Sequence, residues 1–523
     1  MSKEKYACSF ESSVEHLLHT NIVPAPQEYA AIPEILVEPR KKLAALDGEI
    51  QQIEQHLAEI RGKREVLAAD IDAHVALLSP IRRIPEDVLR DIFVSSVPRT
   101  RNAVLSCSEA PLLLCNVSSG WRNIALSTPR LWSSLHVVLP GGSGSRFQAM
   151  LSLAKSWIAR SGILPLSLSI GLSRSWWNWE ENNDMAPLLE LLTAVSDRWE
   201  AIEFHAPKDD SNDHFSQALS SVSSARVPML TRVKYNCLDA RALSCDFLSS
   251  PSITSFAWSF IPETPLETMS IAWSSLTCLD LGSKGYDAPW TGQRTLQILQ
   301  RCVNLEACTL VITNADPAAI PDDTVDLPRL TSLAVTCRDH TIASLILQRM
   351  RVPQLISFTC TEPVEPSLHL FSTVTGHTKV LRNLDITATF TRALWLHMMK
   401  YGSMFSPTVE TIRISSLEGH WVGDDDILAF NDAVLDTLSS TALPALTSLT
   451  LRGCQLLTDR GVLDYVRGRA AGGAPLRFVD IIHNRSMEED ILPDLAALIS
   501  DGLVISLRYE LPENRTPPYD PAE

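Results

Sequence analysis

Early in the chain a pattern recurs at alternating steps of three and four, apolar at all positions but Arg64 and His74: Leu43, Leu46, Ile50, Ile53, Leu57, Ile60, Arg64, Leu67, Ile71, His74 and Leu78. This is the a/d repeat of a coiled coil, held for about five heptads. It predicts one helix from near Pro39 to the Ser79-Pro80 pair, about 60 Å long at 1.5 Å per residue. Gly48 and Gly62 each cost about 1 kcal/mol in a helix interior, but both fall at f positions, away from the seam. Arg64 and His74 do sit in the seam, where polar residues fix register or mark the place of a different partner, at a cost in stability. Two parallel copies would bring Lys42 to Asp47, which attracts, but also Glu49 to Glu54, which repels, and His56 to Arg61. Parallel self-pairing is therefore weakly specified.

A second pattern follows at once. Ile84, Val88, Leu89, Ile92 and Phe93 mark one face of a short helix, with Pro85 in its first turn and Val97-Pro98 at its end. A run from Leu112 to Leu126 reads as a further helix with Leu113, Val117, Trp121 and Ile124 on one side, and Pro129 introduces Leu131 and Trp132. Helices this short bury little, so part of their apolar surface is left for a partner.

Beyond the GGSGS stretch after Pro140 the periodicity changes. The spacing L-x-x-L-x-L, other apolar residues allowed, begins at Trp199, Leu230, Ile253, Leu276, Leu305, Leu330, Leu355, Leu381, Val409, Leu446 and Leu476. Helical candidates intervene, among them residues 295–302, 341–350, 393–402, 425–438 and 490–500. Strand, turn and helix, repeated, predict an α/β solenoid. On each strand the residue between the last two apolar positions points to the other face. These are expected to line the concave side and include Glu203, Lys234, Asp280, Asp385, Arg413 and Asp480.

The chain has 523 residues, 45% of them hydrophobic, and a formal charge of −16. That describes folded domains, and the acidic balance argues against nucleic acid, whose binding needs phosphate neutralisation. No apolar run reaches membrane-spanning length and the N-terminus lacks the apolar region of a signal peptide, so no membrane partner and a cytoplasmic or nuclear location are expected. Eleven cysteines lie at wide spacings without a CxxC pair, which favours reduced thiols and no metal site. No P-loop, GxSxG or HExxH motif occurs. No catalytic residue and no cofactor are expected. Trp176, Trp177 and Trp179 are read as cover for the solenoid end or interface anchors, and Asp424–Asp426 as a helix start.

The segment from Leu78 to Val137 resembles an F-box, carried by Ile84, Pro85, Leu89, Ile92, Phe93, Val117, Trp121, Arg122, Leu131 and Trp132. Ser118 and Ser119 depart from the family's frequent cysteine and basic residue. The repeats are similar to leucine-rich repeats, and LTSLTLRGCQLLTDRGV from Leu446 looks like the cysteine-containing type often attached to F-boxes. The resemblance implies an N-terminal segment (1–35), a coiled-coil helix (36–78), a three-helix F-box (79–136), a linker (137–165), a leucine-rich-repeat-like α/β solenoid (166–508) and a tail (509–523). It also implies a non-enzymatic substrate receptor of a cullin-RING ubiquitin ligase. A Skp-type adaptor would touch Ile84, Pro85, Leu89, Ile92, Phe93, Val117, Trp121, Leu131 and Trp132. The repeats would hold a target protein through the six charged residues named above. The coiled coil would take a partner or self-associate weakly. A scaffold acting without a ligase is the alternative.

Overall fold

The computed structural model describes residues 12–18, 20–139, 145–172, 186–205, 213–236, 243–258, 266–282, 291–312, 320, 322–337, 340–362, 380–388, 407–416, 431–432, 435, 438, 441, 443–454 and 456–510. The three tryptophans at 176–179, the aspartates at 424–426 and the helical candidate at 393–402 lie outside these residues. The chain divides into two compact units, Met1–Leu89 and Arg90–Glu523.

In the first unit, α1 spans Pro26–Ile35, with Pro26 in its first turn and the Glu28 carboxylate accepting the Ala25 N–H at 2.8 Å. The sequence pattern did not anticipate this helix. After Leu36, α2 runs over Val37–Leu77, 41 residues. It begins two residues before Pro39, which sits in the first turn where a missing N–H costs nothing. It ends ahead of the 3-10 turn Pro80–Arg83. The a/d stripe lies open, with Leu43 59%, Ile53 67% and Leu67 60% exposed.

The chain divides within α3, Glu86–Ser96. Glu86 and Asp87 complement the dipole at its start. Leu89 and Phe93, one turn apart, are buried. The expected single helix over 112–126 is instead two, α4 (Leu112–Val117) and α5 (Ser119–Leu126). Ser118 is extended at φ −159° and ψ 166°, and its hydroxyl accepts the Trp121 N–H at 3.2 Å. A serine that caps a new helix opens the old one, because it satisfies a backbone donor only outside helical geometry.

Among the described residues, the second unit holds a parallel sheet of 14 strands in sequence order. These are β1 (Ser134–Leu139), β2 (Leu166–Leu172), β3 (Trp199–His205), β4 (Arg232–Asn236), β5 (Ser255–Trp258), β6 (Cys278–Leu281), β7 (Ala307–Ile312), β9 (Ser332–Cys337), β11 (Ser357–Glu362), β12 (Asn383–Ala388), β13 (Thr411–Ser416), β14 (Ser448–Cys454), β15 (Phe478–His483) and β16 (Val504–Tyr509). Between them, β8 (Val325–Asp326) and β10 (Met350–Arg351) form a two-stranded side pair. All eleven repeats form strands of the large sheet, and the first, fourth and sixth residues of every one are buried. From β4 to β15 the residue before each strand of the large sheet continues the ladder: the Thr277 N–H reaches the Thr254 carbonyl at 2.8 Å, and the Thr331 N–H that of Glu306 at 2.8 Å. The helical candidates at 295–302 and 341–350 are realised as Gly292–Arg301 and His340–Arg349.

The expected linker at 137–165 is corrected. Within it lie the end of β1 and the helix α6, Ser145–Arg160, and β1 pairs with β2 along its whole length. The sheet therefore begins at Ser134 rather than 166. Trp132, Leu135 and Val137 carry the repeat spacing, but Trp132 also closes the helical pattern, and that place hid the first strand. The mixed α/β class with a long N-terminal helix and a large parallel sheet stands.

Candidate functional site

Two surfaces hold the residues expected to bind partners. The first is the apolar side of the short helices. In α3, Val88 and Ile92 are 44% and 46% exposed; in α4, Leu113 and Val117 are 44% and 55% exposed. Each pair is one turn apart and so shares a side of its helix. Leu126 at the end of α5 is exposed as well. Folding has covered the adjacent sides, which carry Leu89, Phe93 and Leu114, and left these open.

Of the residues assigned to adaptor contact, Ile92 and Val117 are exposed, Pro85 is exposed and Ile84 half-buried in the first unit. Trp121 is half-buried, its ring 4.7 Å from that of Phe93. Leu89, Phe93, Leu131 and Trp132 are buried and so cannot offer side-chain contact. Trp132 shows why: its Nε1 donates to the Ala125 carbonyl at 2.8 Å, its ring meets Trp157 edge-on at 4.8 Å, and the Arg160 guanidinium lies 4.7 Å over it. Arg122 is likewise engaged, donating to the Cys115 carbonyl at 2.8 Å. Val88, Leu113 and Leu126 were not assigned. Val88 and Leu113 are legible in the sequence, one turn before Ile92 and Val117 on the same stripes.

The second surface is a row across the sheet. Strand pairing sets His136, Ser169, Glu203, Lys234, Ala257, Asp280, Thr309, Ala334, Thr359, Asp385, Arg413, Thr450, Asp480 and Ser506 in one register. The six charged candidates thus share a face, as period-two alternation requires. Most of them spend their charge on each other. Glu203 pairs with Lys234 and with His205 at 2.9 Å; Arg413 reaches Asp385 at 3.2 Å; Arg508, from a strand the repeat pattern missed, holds Asp480 at 2.9 Å. Burial alone would raise the Glu203 carboxyl, but hydrogen bonds from His205 and Lys234 hold it down at about 2. Asp280 stands apart: burial raises it against the opposing Gly282 N–H at 2.8 Å. The centre of the row, from Ala257 to Thr359, is otherwise uncharged and small.

At the N-terminal end, Ser169 Oγ lies 2.7 Å from His136 Nδ1. The same hydroxyl accepts from Asn102 Nδ2 at 3.0 Å, and Asn102 Oδ1 accepts from Ser134 and Ser167 at 2.9 and 2.8 Å. Asn102 fastens its loop to the first two strands, and the Ser–His contact belongs to that fastening. Burial, then the neighbouring His205, lowers the His136 value.

Among the described residues, no group of three or more His, Cys, Asp or Glu side chains is placed to hold a metal ion, and no helix is long and apolar enough to cross a membrane. No protein-family model matches the chain, and no curated protein matches it.

Proposed function

We propose that the chain is a substrate-receptor subunit of a cullin-RING ubiquitin ligase, docking on a Skp-type adaptor through its F-box-like helices and holding a target protein on the sheet. The observation that carries this reading is the apolar side left open on α3 and α4, with Ile92 and Val117 about half exposed. Single exposed apolar residues are ordinary, but several on consecutive short helices favour a protein partner. Phe93, buried in α3 against Trp121, lies beneath that surface. The chain then needs no catalytic group. Tethering a target beside a ubiquitin thioester made elsewhere raises its effective concentration to the millimolar range for a short span. The polar row, largely self-neutralised and with Asp280 as the one charged residue at its centre, suits a protein segment better than a polyanion.

Only the ligase reading predicts ubiquitin transfer that depends on the docking side. Ile92→Asp with Val117→Asp places charge on open positions and leaves the buried ones intact, so the variant is expected to keep its circular dichroism spectrum. Ubiquitin conjugates on proteins captured with the chain from cells are expected to fall to background in the variant. Equal conjugation by both would favour a scaffold and overturn the ligase reading.

A further inference from the structure

The open seam of α2 is built to take a second copy of itself, end for end. We infer that two chains pair through antiparallel α2 helices. The stripe from Leu43 to Ile71 is 44–67% exposed at its apolar positions, and a helix about 60 Å long with such a stripe is a coiled-coil partner by construction. The flanking charges choose the partner and the direction.

The g positions read Lys42, Glu49, His56, Lys63 and Asp70. Their charges run plus, minus, neutral, plus, minus, and reading from the other end inverts every sign about His56. A two-fold axis perpendicular to the helices sets this flank against its own reverse. Lys42 then faces Asp70 of the second copy and Glu49 faces Lys63, each contact occurring twice; on the e flank Asp47 faces Arg61 twice, against a single repulsion of Glu54 by its own copy. In a parallel pair the same row gives Lys42 with Asp47 but Glu49 with Glu54 and His56 with Arg61, so attraction is offset by repulsion.

The seam itself agrees. Parallel pairing would stack Arg64 on its own copy within one core layer, a like-charge contact out of water. About a two-fold at His56, the two Arg64 residues are sixteen residues apart, roughly 24 Å, and each guanidinium meets apolar neighbours along which its stem can lie while the charge reaches solvent. Orientation set by e and g charges and by polar core residues is a recognised property of coiled coils. The inference is independent of the ligase reading.

Sedimentation equilibrium on the full chain at low salt tests it. The wild type is expected to be dimeric at micromolar concentration. Glu49→Lys places two like-charge contacts in the antiparallel pair and is expected to weaken it about tenfold; Lys63→Glu does the same, and the double exchange restores the wild-type constant. In a parallel pair Glu49→Lys would instead strengthen association by removing the Glu49–Glu54 repulsion, and Lys63→Glu, facing Ala68, would change little. That opposite pattern overturns the inference, as does a wild-type chain that remains monomeric at about 100 μM while α2 stays helical by circular dichroism.

Discussion

Trp132→Ala is expected to destabilise the second unit by about 3–5 kcal/mol, the range for removing a fully buried large aromatic side chain. Three losses coincide. The cavity opens where the ring was 0% exposed; the Ala125 carbonyl loses its indole donor at 2.8 Å; and the edge-on contact with Trp157 and the cation over the ring disappear. Trp132 joins α5 to β1 and α6, so the damage should be local in a way that a repeat array makes visible. Each strand leans on its neighbours. Hydrogen exchange is therefore expected to accelerate in β1, β2 and the short helices while β14 to β16 keep their protection, and urea denaturation should show an early phase. Uniform loss of protection across the sheet would contradict the localisation.

At the other end of the sheet, Asp459→Ala should cost a similar amount, about 3–5 kcal/mol, because it strands several donors that face one buried carboxylate. Asp459 is 1% exposed. It accepts from Arg485 and Tyr509 at 2.8 and 2.9 Å, and from the Glu488 and Glu489 N–H groups at 2.8 and 2.9 Å. Burial alone would raise its carboxyl, but the Arg485 hydrogen bond and then the two backbone donors outweigh it and hold the group at about 2. A folded value below the ordinary 3.8 means that the unfolded chain binds the proton more readily. The stabilisation is complete at neutral pH, where it amounts to about 2 kcal/mol, and is lost as pH falls from near 4 towards 2.

His483 acts in the same direction and earlier. It is fully buried and stacked on Tyr509 at 4.9 Å; burial, then Arg485, pushes it down to about 4. Its neutral form is the folded one, so stability declines as pH drops below the ordinary 6.5. Denaturation midpoints measured from pH 7 to pH 3 should thus fall in two stages. Asp459→Asn is expected to remove the stage below pH 4, and a wild-type midpoint independent of pH across this range would contradict the account.

The long helix and the repeats were legible because each is periodic. The stripe from Leu43 to Leu78 located α2 to within two residues of its start, and the eleven repeat positions gave eleven strands with Glu203 and its counterparts in register. Elements whose signal is shared or local were missed. Ser118 breaks a helix through a single hydroxyl, β1 borrows Trp132 from another pattern, and Gly502 occupies the place of the first apolar residue before β16. The adaptor assignment mixed inside and outside because helical spacing marks an apolar stripe without saying how much of it the fold covers. Leu89 and Phe93 lie within, while Val88 and Ile92, one residue before each, lie open. The Asp459 network joins residues 26 to 50 apart in sequence, a distance at which no local pattern exists.

Direct binding of the full chain to a Skp-type adaptor, followed by isothermal titration calorimetry, tests the central claim. The account predicts one adaptor per chain, a negative heat-capacity change from apolar burial, and loss of the complex in the folded Ile92→Asp, Val117→Asp variant. A folded wild-type chain that shows no binding at about 100 μM adaptor, or binding that the variant retains in full, would contradict it.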